Sequence, residues 1–170
     1  MKETLEPFKG TAKRDLILFP HRIAPEKQPE IFDDLQQSMP EYEFIMCQTE
    51  QLRKPEYHKM LAEAKIVFSA NLQETLGISA YEGAIVDTFP LVPDRLSYTE
   101  MYPDEFKYPS EWTENWDSYL KHKDKLIDRI RLIMKQNTPA ELQLEKLTNS
   151  LTDNFFSSTE MINTIKSYGK

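Results

Sequence analysis

Two cations and two carboxylates stand at intervals that suit a bound nucleoside diphosphate. Arg22 and Lys27 lie in Pro20-His21-Arg22-Ile23-Ala24-Pro25-Glu26-Lys27, and Glu74 and Glu82 lie eight positions apart on either side of Gly77. A guanidinium can grip a diphosphate bidentately and an ammonium adds a point charge, each charge-assisted bond contributing ~1.5–3 kcal/mol. Thr75-Leu76-Gly77 leads into a run of small and apolar residues that reads as a helix. The backbone N–H groups around Leu76–Gly77 and the positive end of that helix would add a ready anion site. Glu82, about two turns along, is spaced to accept hydrogen bonds from vicinal ribose hydroxyls. Glu74, at the loop tip, can reach hydroxyls that hang from the distal phosphate.

Such residues cooperate only if one edge of the fold collects them. Asp15–Phe19 (DLILF), Glu43–Cys47 (EFIMC), Lys65–Ser69 (KIVFS) and Phe89–Val92 (FPLV) are short, mostly apolar runs, as expected of strands buried on both faces. Helical patterns separate them. Pro29 opens one with Ile31, Phe32, Leu35 and Met39 on one side, Pro55–Ala64 reads as a second, and Ile78–Val86 as a third. Strands alternating with helices predict a Rossmann-like α/β fold, a parallel sheet with helices on both faces. Functional loops in such sheets sit at the carboxyl ends of the strands. His21, Arg22 and Lys27 follow the first strand, and Glu74 to Glu82 follow the third, so the two groups are expected to converge.

Residues 94–114, rich in Tyr, Pro and acids, read as a long ordered loop with a short helix near Tyr98–Met101. Asn115–Lys135 is a strong helical pattern with Trp116, Tyr119, Leu120, Leu126, Ile127, Ile130, Ile133 and Met134 along one stripe. Its KHKDK face at 121–125 reads as solvated. Two further helices are expected, at Ala140–Asn149 and Thr159–Tyr168. The expected organisation is a tail or connection over 1–14, a nucleotide-binding domain over 15–135 and a helical extension over 136–170.

Composition narrows the function classes. The chain has 170 residues, 39% hydrophobic, with a formal net charge of −7. That supports one domain with a real core and argues against bulk neutralisation of nucleic-acid phosphates. Four glycines, Gly10, Gly77, Gly83 and Gly169, build neither a G-x-G-x-x-G fingerprint nor a P-loop, and Cys47, the sole cysteine, excludes an internal disulfide. His21, His58 and His122 are far apart, and no H-E-x-x-H or G-x-S-x-G occurs. Adjacent Asp33 and Asp34 point in different directions on a helix, so no metal is expected. No apolar run reaches ~18 residues and the first residues are charged, so a cytoplasmic protein with no membrane contact is expected.

Three stretches carry a resemblance: LFPHRIAPEKQPE at 18–30, FSANLQETLGISAYEG at 68–83 and FPLVPDRLSYTEMYP at 89–103. Glu74 and Glu82 form an E-x7-E arrangement that looks like the donor-site signature of retaining GT-B glycosyltransferases. The third stretch resembles the tRNA-queuosine mannosyltransferase-like group within them. The resemblance covers residues 15–135 and implies the donor-binding half of such an enzyme. It implies a nucleoside diphosphate sugar as donor substrate, GDP-mannose first and a UDP-sugar next, and needs no metal or other cofactor. Arg22, Lys27 and Glu74 would be catalytic. His21, Arg22, Lys27, Thr75, Leu76, Gly77 and Glu82 would bind the donor. An acceptor-binding domain on another chain, or a homo-oligomer, would complete the site, and a nucleic-acid acceptor follows by family analogy alone. Thr75, Gly83 and Asp87 depart from the family's usual aromatic, Ala and Gly.

Plainer readings stand beside these. Arg22 and Lys27 taken alone read as surface charges, and His21 divides evenly between packing and ligand contact. His58 and His122 read as surface residues, Cys47 as a core strand residue, and Trp112 and Trp116 as core or interface. The alternative function is a non-catalytic nucleotide-binding or protein-interaction module that inherited the half-fold.

Overall fold

The computed structural model describes residues 1–136 and 141–157. Its elements in chain order are α1 (Lys2–Leu5), β1 (Leu16–Phe19), α2 (Pro29–Ser38), β2 (Glu43–Met46), α3 (Lys54–Glu63), β3 (Ile66–Phe68), α4 (Ile78–Ile85), β4 (Phe89–Pro93), α5 (Ser97–Met101), β5 (Lys107–Tyr108), α6 (Trp116–Lys135) and α7 (Glu141–Leu151). The strands form one sheet in the order β2-β1-β3-β4-β5, every pair parallel. This is a Rossmann-like α/β arrangement followed by C-terminal helices.

Every residue of β1, β3 and β4 is buried. A parallel sheet covered on both faces tolerates few polar side chains, which is why LILF, IVF and FPLVP are nearly wholly apolar. Each fully buried Leu, Ile, Val or Phe contributes ~1.5–3 kcal/mol of transfer free energy. Right-handed crossovers put α2 on one face and α3 and α4 on the other, because the chain moves outward from β1 to β2 and then back across β1 to β3 and β4. α6 packs beside α2, and α7 packs along α4. β1 lies between β2 and β3, so the order reverses direction there. A crevice opens outside the strand ends at such a switch point.

Several expectations change. β2 is an edge strand in which Phe44 alone is buried, so EFIM is not covered on both faces. Cys47 is buried, but in the 3-10 turn that follows β2 rather than in the strand. A fifth strand, β5, lies within the expected loop and pairs Lys107 and Tyr108 with Val92 and Pro93. On α6, Trp116 and Leu120 are 39% and 51% exposed, so the buried stripe begins at Tyr119 and continues through Leu126. Lys123, in the face read as solvated, pairs with Asp34 of α2 at 2.6 Å. His58 is buried, not on the surface, with its ring against Phe8 and Tyr57. Residues 1–14 include α1, whose Leu5 is fully buried in the core. Lys13 donates to the carbonyls of Ala62 (2.7 Å) and Val86 (2.8 Å) and to Thr88 Oγ1 (2.8 Å), closing the opposite edge of the sheet. The helix expected at Thr159–Tyr168 lies outside the described residues.

Candidate functional site

The loops after β1 and β3 meet at the switch point, and they are stitched together. The Leu72 amide donates to the Glu26 carbonyl at 2.7 Å. Gln28, buried and in the left-handed region at φ 52°, sends its amide to the carbonyls of Ala70 and Thr113, both at 2.7 Å. Side chains rarely adopt that backbone conformation, costing ~1–2 kcal/mol. Pro29 at the first position of α2 then fixes the chain's exit from the loop. Arg95 clamps the same region from beyond β4, donating to the carbonyls of Asn71 (2.9 Å), Ser110 (3.0 Å) and Thr113 (3.2 Å).

Between these loops lies a cavity of about 400 Å³, lined among others by His21, Arg22, Lys27, Glu74, Thr75 and Leu76. A second cavity of about 370 Å³ shares Pro20, His21 and Arg22 with it and continues past Cys47, Gln48, Leu52 and Tyr57. The pair forms an elongated cleft with Pro20-His21-Arg22 at its waist. One end is charged. The other is apolar, with the Gln48 amide at its wall.

Lys27 and Glu74 form the charged end. The Lys27 ammonium donates to the Gln73 carbonyl at 2.6 Å and pairs with Glu74 Oε2 at 3.2 Å, and both side chains are largely buried. Asn71 Nδ2 donates to the same oxygen at 2.9 Å, and the Thr75 amide donates to Oε1 at 3.1 Å. Burial pushes the Glu74 carboxyl up, but Lys27 and the N–H groups of Thr75 and Gly77 outweigh it and hold the group below its ordinary value. Arg22 is paired with Glu26, yet its side chain is 70% exposed and can swing toward a ligand. Lys27 is a fixed charge and Arg22 a movable one.

Gly77 lies beneath the charged end rather than in its lining. It caps α4 at φ 60°, and a Cβ there would stand 2.6 Å from Cε1 of buried Tyr98. Glycine thus satisfies both a left-handed turn and a close approach. Tyr98 supports the loop through Ser69 Oγ at 3.3 Å and Asn71 Nδ2 at 3.4 Å. The departures noted in the sequence have local reasons. Gly83 lets α4 lie against Val67 of β3, where a Cβ would meet Cγ2 at 2.9 Å. Asp87 occupies the left-handed region at φ 61°, the turn for which glycine is easier.

Of the expected catalytic and donor-binding residues, His21, Arg22, Lys27, Glu74, Thr75 and Leu76 line one cavity. Glu82 lines neither and faces α3, where the Tyr57 hydroxyl donates to its Oε2 at 3.1 Å. Tyr57 itself lines the apolar end, so Glu82 reaches the cleft through that hydroxyl. Asn71, Gln28, Arg95 and Tyr98 carry no charge spacing or motif that assigns them to the site from sequence. Asn71, Arg95 and Tyr98 stand inside the ANLQET and PLVPDRLSYTEMYP stretches, whereas Gln28 carries no signal beyond its place between Lys27 and Pro29. Phe156, near the end of the described chain, stacks on Tyr81 of α4 at 3.9 Å, beside Met1 and Lys2 and away from the cleft. Among the described residues no cluster of three or more His, Cys, Asp or Glu could hold a metal ion, and no helix is long and apolar enough to cross a membrane.

No protein-family model matches the sequence. The chain is similar to a tRNA-queuosine alpha-mannosyltransferase of Drosophila melanogaster, 25% identical over 136 aligned residues that take in 61% of this chain. The match spans 36% of the relative's length.

Proposed function

We propose that this chain is a glycosyltransferase donor-binding domain that takes a nucleoside diphosphate sugar. The observation that carries the reading is the two-ended cleft at the switch point, with Arg22 and Lys27 at its charged end. Similarity to a mannosyltransferase supports it and favours GDP-mannose over a UDP-sugar. The diphosphate lies across Arg22, Lys27 and the N-terminal edge of α4, and the base lies toward Gln48 and Leu52. Glu74 turns from Lys27 to hydroxyls of the transferred sugar, and Glu82 acts on the ribose side through or beside Tyr57.

In the reaction the bond from the anomeric carbon to the distal phosphate oxygen breaks, and its electron pair leaves with the diphosphate. The acceptor hydroxyl bonds to that carbon from the same face, and its proton passes to the departing oxygen. Negative charge grows on the diphosphate in the transition state, so Lys27, already fixed, and Arg22, swung onto the diphosphate, lower the barrier without a metal. The acceptor comes from an acceptor-binding domain seated on the exposed Ile23, Leu76 and Ile78 at the mouth. A nucleic-acid acceptor belongs to the same proposal.

One observation favours a second reading, a nucleotide-binding or interaction module without transfer: both cations already hold carboxylates, Glu26 and Glu74. Calorimetric titration with GDP, UDP, ADP and their sugars tests the site. Micromolar binding is expected, weakened about tenfold or more in Arg22→Ala and in Lys27→Ala. Binding unchanged in both variants would refute the assignment. Transfer restored by a separately supplied acceptor domain would eliminate the second reading.

A further inference from the structure

Gln48, in the turn after β2, lines the apolar end of the cleft and is exposed. Its side chain reaches the loop after β1, where the Ile23 backbone amide donates to Oε1. A backbone N–H only donates, so the end of the side-chain amide turned to Ile23 is the oxygen. The other end, Nε2, carries two N–H groups and has no hydrogen-bond partner among the described residues.

The other polar side chains of that cavity are committed or out of reach. The Tyr57 hydroxyl gives its proton to Glu82 at 3.1 Å, and Arg22 is paired with Glu26. His21 Nε2 is buried, and Cys47 has only a weak S–H donor. Pro20, Leu52 and Tyr57 give apolar walls that suit the faces of a base. Gln48 Nε2 is therefore the neutral nitrogen donor left free among the side chains lining this end.

Such a donor divides the bases into two classes. Guanine at C6 and uracil at C4 carry a carbonyl oxygen, which accepts, whereas adenine and cytosine carry an amino group there, which donates. A glutamine amide with both ends free can read adenine by accepting from that amino group. Here the accepting end is turned to a backbone N–H. An amino group against Nε2 would set donor against donor between apolar walls, and neither would find a partner.

We infer that Gln48 is a specificity-determining residue whose Nε2 donates to the exocyclic carbonyl of the base, so that the cleft takes guanine or uracil nucleotides over adenine or cytosine ones. The inference rests on the donor-site reading and adds to it which bases the apolar end accepts.

Two pairs of nucleotides isolate the contact. Inosine diphosphate and ADP differ only at C6 and the adjacent ring nitrogen, and UDP and CDP only at C4 and its neighbour. Calorimetric titration of the wild type should show the carbonyl member of each pair bound about tenfold more tightly. In Gln48→Leu the two members should bind equally. In Gln48→Glu one carboxylate oxygen can keep the Ile23 bond while the other only accepts, so the preference should reverse in direction. Each preference is a ratio within one variant, so the added charge of Glu cancels. Equal binding within both pairs by the wild type, or a preference kept in Gln48→Leu, would overturn the inference while leaving the donor site intact. No binding of any of the four nucleotides at millimolar concentration would overturn the donor-site reading, and the inference with it.

Hydrogen exchange at the Ile23 amide of the unliganded chain, followed by NMR, tests the premise without a ligand. It should be slower in the wild type than in Gln48→Leu, because the Gln48 side chain holds that N–H. Equal exchange would overturn the inference even if nucleotides bind.

Discussion

Gly77 is where fold and site depend on the same atom, and its substitution gives a sharp test. Gly77→Ala places a side chain at φ 60°, a conformation that costs an L-residue ~1–2 kcal/mol. It also drives Cβ to 2.6 Å from Tyr98 Cε1 and 3.3 Å from its Cζ and hydroxyl. Tyr98 has no room to retreat, being fully buried, against Tyr102 at 5.7 Å between ring centroids, with its hydroxyl held by Ser69 and Asn71. Overpacking of this kind costs ~1–3 kcal/mol, so the total loss should be about 2–5 kcal/mol. Gly10→Ala is the matched control, because Gly10 has φ 77° and nothing within 4 Å of an added Cβ. It should lose only the conformational part. The stabilisation that alanine brings by restricting the unfolded chain is common to both variants and cancels in the difference. Urea denaturation of the two variants therefore isolates the clash, with Gly77→Ala expected to be at least 1 kcal/mol the less stable. Nucleotide affinity should fall with it, because the Thr75 and Gly77 N–H groups that hold Glu74 must shift. Equal stability losses would refute the reasoning that Tyr98 packing fixes this turn.

Glu74 and Cys47 give two further expectations. The folded-state pKa of Glu74 lies below its ordinary value of 4.5, so the folded chain binds fewer protons there than the unfolded chain. Its contribution to stability is present above that value and lost as pH falls through the lowered one. Denaturation midpoints across that acid range should be flatter in Glu74→Gln, and an unaltered acid profile would contradict the environment described. Burial pushes the Cys47 thiol up to about 12, so the folded chain should resist thiol reagents at neutral pH and react only on unfolding. Rapid labelling of the native chain would contradict that burial.

The layout of the site is largely legible in the sequence. Apolar runs too continuous for a half-exposed sheet imply parallel strands, and parallel strands imply that the residues after them share an edge. On that basis HRIAPEK and ETLG converge, and they do line one cavity. What the spacing leaves open is direction. Glu82 faces Tyr57 of α3, because helical periodicity sets the angle between residues and not which neighbour lies in that direction. His58 reads as a surface residue for the same reason: its helix is polar in composition, and only the packing of Phe8 from the N-terminal segment buries it.

The sequence by itself determined the alternation of strands and helices, the covered central strands and the two loops that carry charge. Those follow from local periodicity and from hydrophobic burial, which each residue expresses wherever it stands. Tertiary structure alone decided that β2 is an edge, that Lys27 is fixed by Glu74 while Arg22 swings, and that Tyr98 requires glycine at position 77. Contacts between residues far apart in the chain depend on how elements pack, and no local pattern encodes the partner.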